Sequence, residues 1–590
     1  MSTTTPTPTF RDCEVTGFRI DLAAQRHTLA NAIAAVGLLA LGGTFAILIA
    51  LQRQGIPISD EWWYRLLASH GATMLLFWII FFEVAALYFG STVLLNARML
   101  VPRLAWANFA AMIIGVTVAE WAMLSGRATV MFTAYPPLTA HWSYYAGVLL
   151  FAVGALVACV IFFANIVVAR REQTYTGSLP LVVYGLVAAA VIAVYSLATG
   201  AVAYGMLFLQ SIGVMESVDP ATYRLFFWGI GHGAQQINLA AMVAVWYALI
   251  GLTVGGRPVN EGLSRFAFLL YVAFIHLGAV HHLLVDPGLG TSHRIMNTSY
   301  FLYLAVLASL IHAFSIPAAI EVAQRERGFG RGWFTWLRRA PWKEPGFSSL
   351  VLSVVYFGFI AGVTGVLMGT MQLNMIIHNT LFVVGHFHAT VVSGTTLAFM
   401  GISYYLVPLL SRRRLHSVRM ARWQPYVFGG GLAILTLGML FAGQRGVPRR
   451  VADLEYSAAP IGVDLFGAEG MIPSVMALVS VGAVIAVTGG IMYVWNMVAT
   501  LLWGERTARG DEGLDIVFAA QLAASRGRGA TGSIVPDPSL SHAEQRAGLP
   551  RRWARFEAPG TYVIVLLFLA WFVVMYAAAH LNLSRAWPIG

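Results

Sequence analysis

Six histidines stand in otherwise apolar stretches: His70 in LASHGATM, His232 in GIGHGAQQ, the adjacent His281 and His282 in AVHHLLVDPG, and His386 with His388 in VVGHFHATV. Imidazole is the commonest protein ligand for a metal, and six in such settings outweigh the bland alternative of hydrogen-bonded packing residues. Their spacing divides them. Residues two apart on an α-helix point about 200° from each other, so His386 and His388 must face opposite sides of one helix and serve two separate groups. Two planar cofactors, each taking one axial imidazole, fit that pattern. His281 and His282, about 100° apart at a helix end, can turn toward one ion if His232 joins them from a neighbouring helix. Three imidazoles suit Cu, Fe or Zn, and spacing does not choose among them.

The elements that position these residues are membrane helices. Of 590 residues, 58% are hydrophobic and 11% charged, and mean hydropathy is +0.72. A soluble protein is about 25% charged, so a water-soluble domain, a disordered tail and a nucleic-acid-binding module are all excluded. In a membrane chain the net charge of +11 is first a topology signal. Cys13 and Cys159 make neither a CxxC clamp nor a disulfide framework. Apolar windows long enough to span centre on 28–51, 66–95, 104–125, 142–169, 181–212, 222–252, 264–284, 297–322, 348–371, 380–409, 424–443, 473–503 and 561–582. The expected fold is thus an all-α integral membrane protein of about thirteen spans. It divides into an N-terminal tail (1–25), a twelve-helix core (26–504), a loop (505–556) and an additional C-terminal helix (557–590). No signal peptide is expected in the polar start MSTTTPTPTFRDCEVTG.

With thirteen spans, 28 basic residues fall on the side of the N-terminal tail and nine on the other. The first side includes Arg325, Arg327, Arg331, Arg338 and Arg339, then Arg412–Arg414, and Arg551, Arg552 and Arg555. The positive-inside rule places that side in the cytoplasm. His70, His232, His386 and His388 then start inward-running spans, and His281 and His282 end an outward-running one. All six fall at one depth, toward the outer face.

These motifs in this order, together with HNTLFVVGHFH from His378 to His388 and PRR at Pro448–Arg450, resemble the catalytic subunit of haem–copper oxygen reductases and their nitric oxide reductase relatives. The VDPG, the HNT…GHFH run and the thirteenth span look closest to the B-type branch, over roughly residues 25–505. The resemblance implies that His70 and His388 ligate a low-spin haem and that His386 is the proximal ligand of a high-spin, active-site haem. It further implies that His232, His281 and His282 hold a non-haem metal, with Arg449, Arg450 and His378 near the haem propionates. It also implies an electron-donor subunit, a soluble carrier or quinol as electron source, membrane lipid around the chain, and a bacterial-type cytoplasmic membrane with the active site toward the outer face. No nucleic-acid partner is expected.

The sequence departs from the oxygen-reductase pattern at Gln236. Four residues after the first metal-ligand histidine, A- and B-type enzymes carry a tyrosine that supplies an electron and a proton. A carboxamide does neither, so the expected reaction is reduction of nitric oxide to nitrous oxide, part of denitrification, with iron rather than copper as the non-haem metal. Oxygen reduction to water is the alternative, and a transporter with buried histidines is the alternative outside redox chemistry. Gln236, one turn from His232 on the same helix face, can reach the metal or its ligand and is expected to orient and polarise bound NO. Span six lacks an acidic residue, so a proton file is sought on span eight through Tyr300, Tyr303, Ser309 and His312, similar to the B-type channel. Asn374 stands where those relatives carry an aspartate.

Overall fold

Asp21, Ser59, Asp219, Asn260 and Ser417 each accept a hydrogen bond from a backbone N–H three residues on, and each marks the residue at which an apolar run turns helical. Such side chains satisfy donors that the first helical turn leaves free. Pro102 and Pro345, which need no backbone donor, open two further runs, and Pro220 follows the Asp219 cap. The resulting helices are, in chain order, α1 (Leu22–Gln52), α2 (Asp60–Leu95), α3 (Pro102–Leu124), α4 (Trp142–Arg171), α5 (Leu181–Ser211), α6 (Pro220–Val254), α7 (Glu261–Leu277), α8 (Thr291–Glu326), α9 (Pro345–Gly369), α10 (Leu381–Ser411), α11 (Val418–Gln444), α12 (Ile472–Trp503) and α13 (Pro559–Leu581). The structure, a computed structural model, describes residues 10–13, 16–452, 471–507 and 557–586. The predicted loop at 505–556, with Arg551, Arg552 and Arg555, lies almost entirely outside the described residues.

Among the described residues, twelve helices are long and apolar enough to cross a membrane. The predicted seventh span is the exception. Its α-helix ends after 17 residues and tightens into a 3-10 turn over Gly278–Leu283, the segment holding His281 and His282. Winding from 3.6 to three residues per turn changes the direction of both imidazoles. Widened π turns lie at Thr73–Phe77, Tyr356–Gly362 and His388–Thr396, each within a few residues of His70, Thr364 or His388. Such turns recur at functional sites.

The chain closes on itself, α1 packing on both α2 and α12. Small residues let backbones meet, as is usual between membrane helices. A Cβ on Gly115 of α3 would lie 2.6 Å from the carbonyl oxygen of Gly147 on α4, and one on Gly147 2.7 Å from that of Gly115. Enclosure is uneven. The most apolar windows of α2, α6 and α10 are 89%, 83% and 83% buried, and these three helices carry His70, His232, His386 and His388. By contrast α13 is a peripheral helix with none of its window buried. It is held at one end by Glu321 of α8, whose carboxylate accepts from Gly560 N at 2.9 Å, Thr561 N at 2.6 Å and the Thr561 hydroxyl at 2.8 Å. The same carboxylate pairs with buried Arg325 at 2.6 Å.

Candidate metal and cofactor centre

A cavity of about 710 Å³ runs between the helices and is lined by all six histidines, by Gln236 and by Arg53, Arg449 and Arg450. At one place His70 of α2 meets His388 of α10 with ring centres 6.5 Å apart and planes 20° from parallel. The Nδ1 of His70 donates to Gly42 O at 2.9 Å, and the Nδ1 of His388 to Val384 O at 2.8 Å. Each ring therefore keeps the Nε2 lone pair free. Two metal–nitrogen bonds of about 2 Å, plus about 1 Å from each Nε2 to its ring centre, account for the separation. The pair fits a bis-imidazole iron.

The second group is a triad. One nitrogen from each of His232, His281 and His282 lies within 4.8 Å of the others, and His232 Nδ1 stands 3.1 Å from His282 Nε2. Trp228, one turn before His232 on α6, stacks on His282 at 3.8 Å with planes 3° apart and fixes that ring. The donor set is all imidazole, which fits copper or iron. His386 lines the same cavity, and its Nδ1 donates at 2.9 Å to Thr364 Oγ1, a hydroxyl that itself donates to Ile360 O at 2.7 Å. Its Nε2 is thereby left as a lone pair. Gly365 sits against this ring, where a Cβ would come 3.1 Å from His386 Cε1.

The cationic wall is built by strand-like pairing. Leu381 N donates to Val447 O at 2.8 Å and Arg449 N to Asn379 O at 3.0 Å, which brings PRR beside the HNT segment. Arg450 takes a left-handed φ of 65° there. Burial, with Arg450 beside it, pushes the Arg449 guanidinium down to about 10. Arg53 at the end of α1 is pushed to about 10 by burial and donates to Val451 O at 2.7 Å. Among the described residues none of Arg53, Arg449 and Arg450 has a carboxylate partner. Three half-buried cations facing one cavity match the carboxylates of a haem. His378 lines the same wall, its Nδ1 held by Asn374 Oδ1 at 3.1 Å.

Gln236 places its amide nitrogen 3.2 Å from His232 Nε2. That is the ring edge opposite Nδ1, so of the two contacts expected of Gln236, metal or ligand, the one present is with the ligand imidazole. The predicted proton file is also redrawn. Ser309 and His312 are hydrogen-bonded into a polar set, but Tyr300 and Tyr303 are 60% and 49% exposed and outside that set, although Tyr303 lines the cavity with Ser309. Nine residues are about two and a half turns, so Tyr300 faces away from Ser309 and Tyr303 away from His312. Tyr247, Ser264 and Tyr271 take their place. Tyr247 bonds Ser264 Oγ at 2.9 Å and His312 Nδ1 at 3.0 Å, and Tyr271 bonds Ser309 at 3.0 Å beside the cavity.

Other residues escaped sequence reasoning. Arg53 is one of only nine basic residues on the arginine-poor side, a signal that was available. Glu83 and Glu120, buried carboxyls on α2 and α3, satisfy the cost criterion applied to the histidines. Glu120 takes the Thr73 hydroxyl, and Glu83 keeps one oxygen without a partner. Thr364 offered no signal, since its role depends on a helix crossing.

Fold and site together define a multi-pass, all-α membrane protein built around clustered imidazoles and a cation-rimmed cavity. The profile of the family described as Cytochrome C and Quinol oxidase polypeptide I matches residues 26–479, and the chain belongs to that family. It is 34% identical over 354 residues to cytochrome c oxidase subunit 1 of Thermus thermophilus. That match covers 59% of this chain and 62% of the relative, so the chain spans less than two thirds of that protein's length. Cytochrome c oxidase subunit 1 of Synechocystis sp. is 23% identical over 492 residues, 80% of this chain and 82% of the relative. A haem–copper terminal oxidase dimer solved by cryo-EM shares the fold, with a TM-score of 0.76 at 23% identity, covering 92% of this chain and 99% of that one.

Proposed function

We propose that this chain is the catalytic subunit of a terminal respiratory reductase. In this reading His70 and His388 hold a low-spin haem and His386 a high-spin haem. His232, His281 and His282 hold one non-haem metal, copper or iron. Arg449, Arg450 and His378, joined by Arg53, neutralise the propionates. The core at 26–504 carries the centre, α13 is an addition to it, and the arginine-rich end of the bundle faces the cytoplasm of a bacterial-type inner membrane. The observation that carries this reading is the pairing of two imidazoles 6.5 Å apart with an imidazole triad on one cavity.

When bound, these groups supply one-electron transfers and an open coordination position for a diatomic gas. The chain's own residues orient and feed that chemistry. Gly42 O, Val384 O and Thr364 set the imidazole tautomers, and the half-buried guanidiniums oppose the propionate charge. Ser264, Tyr247, His312, Tyr271 and Ser309 form stations from the arginine-rich end toward the cavity, along which protons reach the substrate. Electrons come from a donor subunit, a soluble carrier or membrane quinol.

The relatives named cytochrome c oxidase support oxygen as substrate, reduced with four electrons and four protons to two waters, better than the nitric oxide expected from sequence. One observation favours nitric oxide as a second reading. Gln236 occupies the contact with His232 Nε2, where a phenol would supply an electron and a proton for O–O cleavage. Two NO molecules, two electrons and two protons give N₂O and water without a phenol. Purified protein, given a reductant, is expected to show two haems in a reduced-minus-oxidised spectrum and to consume one of the gases. Absence of haem would sink the reductase reading. Rapid O₂ turnover with negligible NO turnover would retire the second reading, and the converse result the first.

A further inference from the structure

We propose that Gln236 is a positioning residue that selects which nitrogen of His232 takes the non-haem metal, an inference that rests on the two-metal reading above but holds for either gas. His232 Nδ1 is the edge facing the triad, 3.1 Å from His282 Nε2. A neutral imidazole carries one N–H and one lone pair. With the Nδ1 lone pair on a metal, the hydrogen sits on Nε2 and needs an acceptor. The neighbour there is Gln236, whose NH₂ lies 3.2 Å away while its Oε1 is buried with no partner. A half-turn of the amide brings the oxygen to the Nε2–H and moves the NH₂ to the position the oxygen held. The orphaned oxygen gains a donor, and the Nε2–H gains an acceptor. The amide oxygen and nitrogen are interchangeable in shape, so the turn costs no packing. Gln236 then acts on the metal through His232, raising its basicity and holding its ring orientation, as outer partners of metal-bound histidines do.

The test uses whole purified protein, dialysed against EDTA, with non-haem metal followed by elemental analysis and the haems by absorption. Gln236→Leu keeps the bulk and removes the acceptor. It should release the non-haem metal about 10–100-fold more readily while both haem spectra stay unchanged. Gln236→Glu keeps an acceptor oxygen and should hold the metal at least as firmly as the parent. Should the Leu variant fail to assemble its haems, Gln236→Met repeats the test with a more flexible side chain. Retention by the Leu or Met variant equal to the parent's overturns the inference, as does equal loss from Leu and Glu variants. Retained metal with collapsed turnover means that the amide meets substrate directly, which sinks the positioning role and leaves the proposed function standing. A parent that holds haem iron and no other metal takes down the two-metal reading itself.

Discussion

The two imidazole groups on the cavity are fixed by different means. His70 and His388 each lean on a backbone carbonyl, Gly42 O and Val384 O. His232 and His386 lean on side chains, the Gln236 amide and the Thr364 hydroxyl, and His282 on the Trp228 ring. A carbonyl within a helix cannot be substituted away and moves little, which suits a site that only passes electrons. A side-chain partner can be exchanged by one mutation, so the support of His232, His282 and His386 is open to adjustment. The same fold thereby separates a fixed kind of support from an adjustable one.

The contrast can be broken most forcefully at the ligands. His70→Ala should abolish turnover and remove the low-spin spectrum while the high-spin haem remains. Loss of both haems from a folded protein would show that the two sites are not separable. His281→Ala comes next and should deplete one metal per chain by elemental analysis, with both haem spectra intact. If the metal stays, the triad is not its cage.

Smaller effects sharpen the contrast. Thr364→Val is nearly isosteric but leaves the His386 N–H without its acceptor, a penalty of about 1–3 kcal/mol. It should shift the high-spin band and cut turnover roughly tenfold, with Thr364→Ser restoring both. An unshifted band would place the support of His386 elsewhere. Tyr247→Phe removes the link between Ser264 and His312 and should slow proton-coupled turnover several-fold without touching either spectrum, as general acid–base groups on a relay do. Unchanged turnover would move the proton route off α6. The least effect is expected of Gly42→Ala, because the added methyl meets the flexible Met74 side chain. It should move only the low-spin haem, measured as a small shift in its midpoint potential, and leave metal content alone.

What could be read from the sequence follows from what is local. The six histidines were visible because a charged or polar ring in an apolar run is anomalous wherever the run packs. The opposite facing of His386 and His388 needed only helix geometry. Gln236 was legible as a departure because it sits one turn from His232, although its contact with the outer ring edge was not. Tyr300 and Tyr303 fall outside the hydrogen-bonded set because each stands half a turn round α8 from Ser309 or His312. Their true counterparts, Tyr247, Ser264 and Tyr271, lie on α6 and α7 and reach α8 only through tertiary packing. Thr364 and the carbonyl of Gly42 were hidden for the same reason. The early end of α7 reflects a 3-10 turn that an apolar window does not register.

Glu321 has a consequence for how the protein is made. Translation delivers α13 after α8 and α9. Until then the Glu321 carboxylate has Arg325 for company but lacks the three donors of Gly560 and Thr561. Hydrogen bonds to a charged group are worth about 1.5–3 kcal/mol each, so before α13 docks the buried ion pair keeps unmet acceptor sites between the helices. Arrival of α13 fills these sites and, through Phe568 and Phe572, closes a wall of the central cavity. Docking of α13 is thereby written into the electrostatics of the bundle as well as into its packing.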